Sequence, residues 1–171
     1  MNAPLSLSAL IEQSAQQLHE AHQAGQVSFC QGTTNAHDEA AWLVLWKLGM
    51  PLDTDFTQID AHLSPQQVRD VQDLIAQRIA TRKPAAYLTQ EAWLQGISFY
   101  VDERSIVPRS LIAEVLADGS ADPWIDPDAT RVLDLCTGNG SLAVLAALAY
   151  PEVSVQGLDI SPQALEVAHI N

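Results

Sequence analysis

The sequence predicts an α+β fold in which a small helical bundle precedes a β-hairpin and an α/β unit. Two observations support this fold class: apolar residues recur at helical spacing in the first half of the chain, and they alternate or form short runs in the second half. We expect a helical domain over residues 1–88, a β-hairpin linker over 89–107 and an incomplete α/β domain over 108–171. A chain of 171 residues, 47% of them hydrophobic, is long enough for such a division.

Three helices are predicted in the first domain. Apolar residues at three- and four-residue spacing predict helices over 7–24, 36–48 and about 64–82. Ser64 supplies an N-cap for the third helix, and Pro65 follows at its first position, where a missing N–H is tolerated. Together the three helices predict a small bundle.

Charged residues lie at the ends of two of these helices. Asp38 and Glu39 stand in the first turn of the second helix, and Arg78, Arg82 and Lys83 stand at the end of the third. Acidic groups at a helix N-terminus and basic groups at a C-terminus complement the helix dipole. We therefore expect these charges to act on the helix ends, without a ligand.

A hairpin and a surface loop are predicted next. Apolar residues flank Gln95-Gly96 on both sides, as is typical of two strands joined by a tight turn. A short helix is expected over 111–117. Residues 118–130 contain four Asp, two Pro and one Gly, which predicts a surface loop. We expect Trp124 to anchor this loop to an apolar surface.

The last segment alternates between strand and helix, as a nucleotide-binding α/β half-unit does. Its predicted elements are an apolar strand over 132–135, a glycine-bearing turn CTGNG over 136–140, an apolar helix over 141–150, a second strand over 153–158 and a further helix from 161. Gly138 and Gly140 permit a sharp turn and the close approach of a ligand. The following helix directs free N–H groups toward that ligand.

Two aspartates flank the predicted turn. Asp159 lies nineteen residues after Gly140, which places it at the end of the neighbouring strand, where it can accept both hydroxyls of a ribose. Asp134 precedes the turn on its own strand. A carboxylate there would repel the pyrophosphate of a dinucleotide, and it suits the cationic amine of S-adenosylmethionine. The pattern therefore favours S-adenosylmethionine over a dinucleotide.

The motifs resemble a known family. DLCTGNG followed by GLDIS is similar to motifs one and two of the class I methyltransferases, which have a Rossmann-like fold. Three longer stretches, DEAAWLVLWKLGMPLD, RKPAAYLTQEAWLQGISFYVDERSIVPRS and DLCTGNGSLAVLAALAYPEVSVQGLDISPQALEVAHIN, resemble the protein-glutamine methyltransferases of the HemK/PrmC type, and within them the PrmB branch. The resemblance covers nearly the whole chain.

The resemblance implies an activity, a substrate and a set of site residues. Such enzymes use S-adenosylmethionine to methylate a glutamine side-chain amide, in the PrmB branch that of the third large-subunit ribosomal protein. A helical N-terminal domain binds the substrate, and a hairpin joins it to the catalytic domain. The implied cofactor-binding residues are Asp134, Cys136, Thr137, Gly138, Asn139 and Gly140 at the methionine end of the cofactor and Asp159 at the ribose. Cys136 stands where many methyltransferases have glycine.

One family motif is missing. The Asn-Pro-Pro-Tyr motif, which follows the fourth strand in the family and positions the glutamine amide, does not occur in the 171 residues. We therefore name no catalytic residue, and we expect the chain to be the first part of a longer enzyme and inactive alone. A sheet of only two strands also leaves apolar surface uncovered.

Composition narrows the choice of partners. The chain has 8 Lys and Arg against 21 Asp and Glu, and a formal net charge of −13. Since phosphate contacts require basic side chains, we expect no direct binding to nucleic acid. A basic ribosomal protein is the better partner. No apolar run is long enough to cross a membrane, so no membrane association is expected.

The two cysteines show no pattern of a metal or redox site. Cys30 and Cys136 lie outside any C-x-x-C pattern, so we expect reduced thiols in a cytoplasmic protein and no metal site. Two other functions remain open: a non-enzymatic module that binds a ribosomal protein, and an amino-directed nucleic-acid methyltransferase.

Overall fold

The computed structural model describes residues 5–56 and 62–171, which divide into two compact units. The helical unit ends at Thr89, and the C-terminal unit runs from Gln90 to Asn171. The α+β class is confirmed. Within these described ranges, no helix is both long enough and apolar enough to span a bilayer.

Four helices are present in the described part of the helical unit. They are α1 (Leu7–Gln23), α2 (Ala36–Lys47), α3 (Pro65–Thr81) and the short α4 (Ala85–Thr89). The first three confirm the predicted helices to within a few residues. The N-cap of α3 is a capping box, in which Ser64 Oγ accepts from the Gln67 N–H and the Gln67 side chain accepts from the Ser64 N–H. Local sequence thus determines where this helix begins.

The core of the helical unit contains an ion pair as well as apolar side chains. Arg78 Nε donates to Glu39 Oε1 at 2.7 Å, and Arg78 Nη2 donates to the Ser28 carbonyl at 3.0 Å. Both charged side chains are only 2% exposed. The expectation that these two residues serve the helix ends is therefore wrong. Each lies at a helix end, but on the buried face, where a charge requires a partner.

The C-terminal unit begins with the predicted hairpin. Strands β1 (Glu91–Leu94) and β2 (Ile97–Tyr100) pair antiparallel. Gln95 and Gly96 connect them with φ values of 51° and 74°, and two such positive angles are typical of a two-residue hairpin turn. A glycine at the second position meets this requirement without strain.

An α/β arrangement follows the hairpin. Its elements are α5 (Leu111–Ala117), a 3₁₀ turn (Asp122–Trp124), β3 (Arg131–Leu135), α6 (Ser141–Ala149), β4 (Ser154–Leu158) and α7 (Pro162–Ala168). Strands β3 and β4 pair in parallel, with Asp134 opposite Gly157. Phe99, Ala113 and Leu145 form a buried cluster that connects the hairpin, α5 and α6.

The two-stranded sheet leaves apolar side chains uncovered, as predicted. Leu133 and Leu135 of β3 are 56% and 69% exposed, and Ile160 after β4 is 98% exposed. Trp124 differs from the expectation. Its side chain is 88% exposed, so it does not anchor the loop before β3. The short 3₁₀ turn that carries Trp124 presents the indole to solvent.

An arginine connects the segment after the hairpin to α7. Arg104 Nη2 donates to Asp102 Oδ2 at 2.6 Å, Arg104 Nε donates to both oxygens of Asp102 at 3.0 Å, and Nη1 donates to Glu166 Oε2 at 2.9 Å. The guanidinium hydrogen bond is the main cause that lowers the pKa of Asp102 to about 2, from an ordinary value of 3.8.

This carboxylate predicts an acid-sensitive contribution to stability. A carboxyl whose pKa is lower in the folded than in the unfolded chain stabilises the fold above its ordinary pKa, and the contribution is lost as the pH falls toward the folded value. We expect the thermal unfolding midpoint of the C-terminal unit to decrease as the pH is lowered from about 4 to about 2. The midpoint of the Asp102→Asn variant should decrease less steeply over the same range. A variant whose decline matches that of the wild type over this range would contradict the assignment.

Candidate cofactor-binding site

The candidate site lies at the carboxyl edge of the parallel strands. Because β3 and β4 are parallel, their C-terminal ends meet at one edge of the sheet. The turn over 136–140 leaves β3 at this edge, and the Thr137 N–H donates to the Leu158 carbonyl at 2.9 Å. Asp134 therefore lies on β3 and Asp159 directly follows β4, on the two sides of the turn.

Three residues of the turn adopt a left-handed backbone. The φ values are 65° at Cys136, 56° at Gly138 and 81° at Gly140. The two glycines adopt this conformation freely, whereas a residue with a Cβ is disfavoured there by about 1–2 kcal/mol. The angle at Cys136 gives a physical reason why a glycine at this position, common in the resembling methyltransferases, is compatible with the same turn.

Asp159 holds the turn from the neighbouring strand. Its Oδ2 accepts from the Gly138 N–H at 2.9 Å, and its Oδ1 accepts from the Ser161 N–H at 2.9 Å. These two backbone hydrogen bonds lower the pKa of Asp159 below its ordinary value, and the bond from Ser161 has the larger effect. An ionised carboxylate has about four acceptor positions, so capacity for further donors remains at this half-buried side chain.

Asp134 contacts the turn through its second residue. Thr137 Oγ1 donates to Asp134 Oδ2 at 2.6 Å, and Thr137 is buried. This hydrogen bond fixes the orientation of the carboxylate at the end of β3. A fixed anionic group at this edge can accept from a cationic amine.

The other two predicted residues of the turn have different exposures. Cys136 is exposed. Asn139 is 3% exposed. Its Oδ1 accepts from the Ser141 N–H at 3.3 Å, and its Nδ2 donates to the Tyr100 carbonyl of β2 at 3.5 Å. In the structure, hydrogen bonds join the turn to Asp134 and Asp159 through Thr137 and Gly138. Contact with a ligand stays a prediction for all seven residues.

The surroundings of the two glycines differ. A Cβ added at Gly138 would meet no atom within 4 Å. A Cβ added at Gly140 would lie 3.1 Å from Ala168 Cβ and 3.3 Å from Ala168 Cα. The backbone at Gly138 therefore faces open space that a ligand can enter, and the backbone at Gly140 packs closely on the end of α7.

This difference predicts unequal effects of two matched substitutions. Gly138→Ala is expected to lower the free energy of unfolding by about 1 kcal/mol, since only the left-handed backbone opposes the methyl group. Gly140→Ala is expected to lower it by about 2–3 kcal/mol, because the methyl group also crowds Ala168. Chemical unfolding of both variants measures the difference. Equal losses would contradict the close packing of Gly140 on α7.

One contact of the turn could not be predicted from the sequence. The side chain of Asn171 contacts both the turn and the backbone of β2, through Asn139 and Tyr100. Spacing along the chain offers no signal for it, since the partners are 32 and 71 residues away. Among the described residues, no cluster of three or more His, Cys, Asp or Glu side chains has a geometry that could hold a metal ion.

The candidate site lies within a region of the chain that matches a known protein family. Residues 126–171 match the methyltransferase domain family. The chain is 52% identical over 147 residues to a ribosomal protein uL3 glutamine methyltransferase of Burkholderia pseudomallei, in an alignment that covers 85% of the chain and 48% of the relative. A second relative with the same name, from Bordetella pertussis, is 52% identical over 150 residues, covering 86% of the chain and 50% of the relative.

A third relative extends the range of species. The ribosomal protein uL3 glutamine methyltransferase of Neisseria meningitidis is 48% identical over 145 residues, with 84% of the chain and 48% of the relative covered. The matched region thus spans about half the length of these curated relatives. The resemblance to the protein-glutamine methyltransferases is confirmed by these relatives and by the domain match.

Proposed function

We propose a function on the premise that the chain belongs to the methyltransferase family of its curated relatives. It belongs to an enzyme that transfers a methyl group from S-adenosylmethionine to a glutamine side-chain amide of ribosomal protein uL3. The observation that supports this most is the pair of carboxylates, Asp134 and Asp159, on either side of a glycine turn whose backbone faces open space at Gly138.

Each part of the site suits one part of S-adenosylmethionine. Asp134 would accept from the cationic amine, and Asp159 would accept from the two ribose hydroxyls. Cys136, Thr137, Gly138, Asn139 and Gly140 form the turn that would line the methionine end. When bound, the cofactor supplies a methyl group on a cationic sulfur.

The same residues disfavour a dinucleotide. A pyrophosphate at the turn would lie close to the carboxylate of Asp134, which the Thr137 hydroxyl fixes at 2.6 Å. Two like charges at short range in a partly buried site repel each other. An amine at the same place is attracted by the same carboxylate.

The helical unit is the part of the chain proposed to bind the substrate. The curated relatives carry uL3 in their names, and we propose that the helical unit of this chain binds that protein. The net charge of −13 suits a basic ribosomal protein and opposes a direct contact with nucleic acid. Because ribosomal proteins are made and assembled in the cytoplasm, we expect the enzyme to act there.

A methyl-transfer assay tests the proposal. Protein purified from its own cell is incubated with methyl-labelled S-adenosylmethionine and uL3. The proposal predicts label on a uL3 glutamine, lost in Asp134→Ala and kept in Asp128→Ala, an aspartate of the loop before β3. Binding of uL3 without label would support a non-enzymatic module instead, and label on nucleic acid would support a nucleic-acid methyltransferase.

A further inference from the structure

The carboxamide of Asn171 bridges the hairpin and the candidate cofactor turn. Asn171 Oδ1 accepts from the Tyr100 N–H at 2.8 Å, and Asn171 Nδ2 donates to the Tyr100 carbonyl at 3.1 Å. The same Nδ2 donates to the Asn139 carbonyl at 2.8 Å. One side chain therefore contacts the backbone of β2 and the backbone of the turn.

The orientation of this carboxamide matches its partners. Its oxygen faces an N–H, and both hydrogens of its nitrogen face carbonyl oxygens. The two bonds to Tyr100 use the N–H and carbonyl of a single β-strand residue, as a neighbouring strand would. A side chain with only acceptors cannot reproduce this pattern.

The turn is held at three successive residues. Asp159 accepts from the N–H of Gly138, Asn171 donates to the carbonyl of Asn139, and Gly140 packs on Ala168. The first contact comes from the residue that follows β4, the second from Asn171 beyond α7, and the third from the last residue of α7. Asn171 also reaches the hairpin, at 2.8 and 3.1 Å, where the turn's own Asn139 makes a longer bond of 3.5 Å to the same Tyr100 carbonyl.

We infer that Asn171 is a positioning residue for the cofactor turn, a role that rests on the proposed function. It fixes the carbonyl of Asn139 relative to β2 and so holds Gly138 and Gly140 in the geometry that a ligand meets. It touches no reacting atom. Loss of its donor groups loosens the turn and weakens binding of S-adenosylmethionine.

Three variants of the full chain test this role. Asn171→Ala removes the bridge, Asn171→Asp keeps the size but removes both donor hydrogens, and Gln163→Ala removes an exposed carboxamide from α7 as a control. Amide hydrogen exchange at Gly138 and Gly140 measures the turn, and calorimetric titration measures the Kd of S-adenosylmethionine. Both N–H groups are hydrogen bonded at 2.9 Å, so their exchange reports opening of the turn.

The expected results separate the variants. Asn171→Ala should raise both exchange rates and the Kd roughly fivefold, since a hydrogen bond contributes about 1 kcal/mol net. Asn171→Asp should raise them further, because its carboxylate faces two carbonyl oxygens. A role limited to filling space predicts the reverse order, with the aspartate the milder change. The control should match the wild type in both measurements.

Two outcomes overturn the inference in distinguishable ways. Exchange at Gly138 and Gly140 that stays at the wild-type rate in both Asn171 variants shows that the side chain does not hold the turn. A wild-type chain that fails to bind S-adenosylmethionine refutes the cofactor assignment, and the positioning role fails with it, whatever the exchange rates are.

Discussion

Replacing Glu39 with alanine is expected to lower the free energy of unfolding of the helical unit by about 3–5 kcal/mol. The substitution leaves the guanidinium of Arg78 without its counterion. Arg78 is only 1% exposed. A charge in a protein core has lost its hydration, and without an opposite charge nearby that loss is not compensated. Urea unfolding followed by the fluorescence of Trp42 and Trp46 measures the loss.

Two further variants make this result specific to the ion pair. Arg69→Ala removes an exposed arginine of α3, the helix that also carries Arg78; the Arg69 guanidinium contacts Gln66. This variant should change the free energy of unfolding by less than about 0.5 kcal/mol. Glu39→Leu combined with Arg78→Met replaces both charges by apolar groups and should recover much of the loss. A Glu39→Ala variant as stable as Arg69→Ala would show that the pair is not buried in solution.

The second large effect concerns the two carboxylates of the candidate site. Asp159→Asn should weaken binding of S-adenosylmethionine on the order of ten- to hundredfold. The amide group has one acceptor oxygen, so either the Gly138 N–H or the Ser161 N–H loses its partner, and the negative charge is removed as well. Asp134→Asn should weaken it to a similar degree, through the lost attraction for the amine. Calorimetric titration of each variant measures both.

A smaller ligand separates the two roles. Adenosine carries the ribose but lacks the amino acid, so Asp159→Asn should weaken its binding and Asp134→Asn should leave it unchanged. Asp128→Asn, in the loop before β3, serves as the control for charge alone. Equal loss of adenosine binding in both site variants would contradict the assignment of Asp134 to the amine.

Features that depend on neighbours in sequence could be predicted from the sequence. The cap at Ser64, the turn at Gln95-Gly96 and the left-handed glycines 138 and 140 each follow from the chemistry of one or two residues. The parallel strands follow from two short apolar runs with a helix between them. Asp134 and Asp159 could be placed at one edge of the sheet for that reason.

Features that depend on distant partners could not be predicted. Glu39 and Arg78 are 39 residues apart, and each alone resembles an ordinary charge at a helix end. The contact of Asn171 with Tyr100 spans 71 residues and depends on how α7 packs beside the hairpin. The exposure of Trp124 depends on which surfaces its loop reaches, and composition alone does not specify that.

The most direct test of the central claim is the intact mass of uL3 from cells that lack this gene. We expect uL3 from the deleted strain to lack one methyl group on a glutamine. The wild-type gene should restore this methyl group, and the Asp134→Ala gene should not. A uL3 mass that is identical in the presence and absence of the gene would contradict the proposed function.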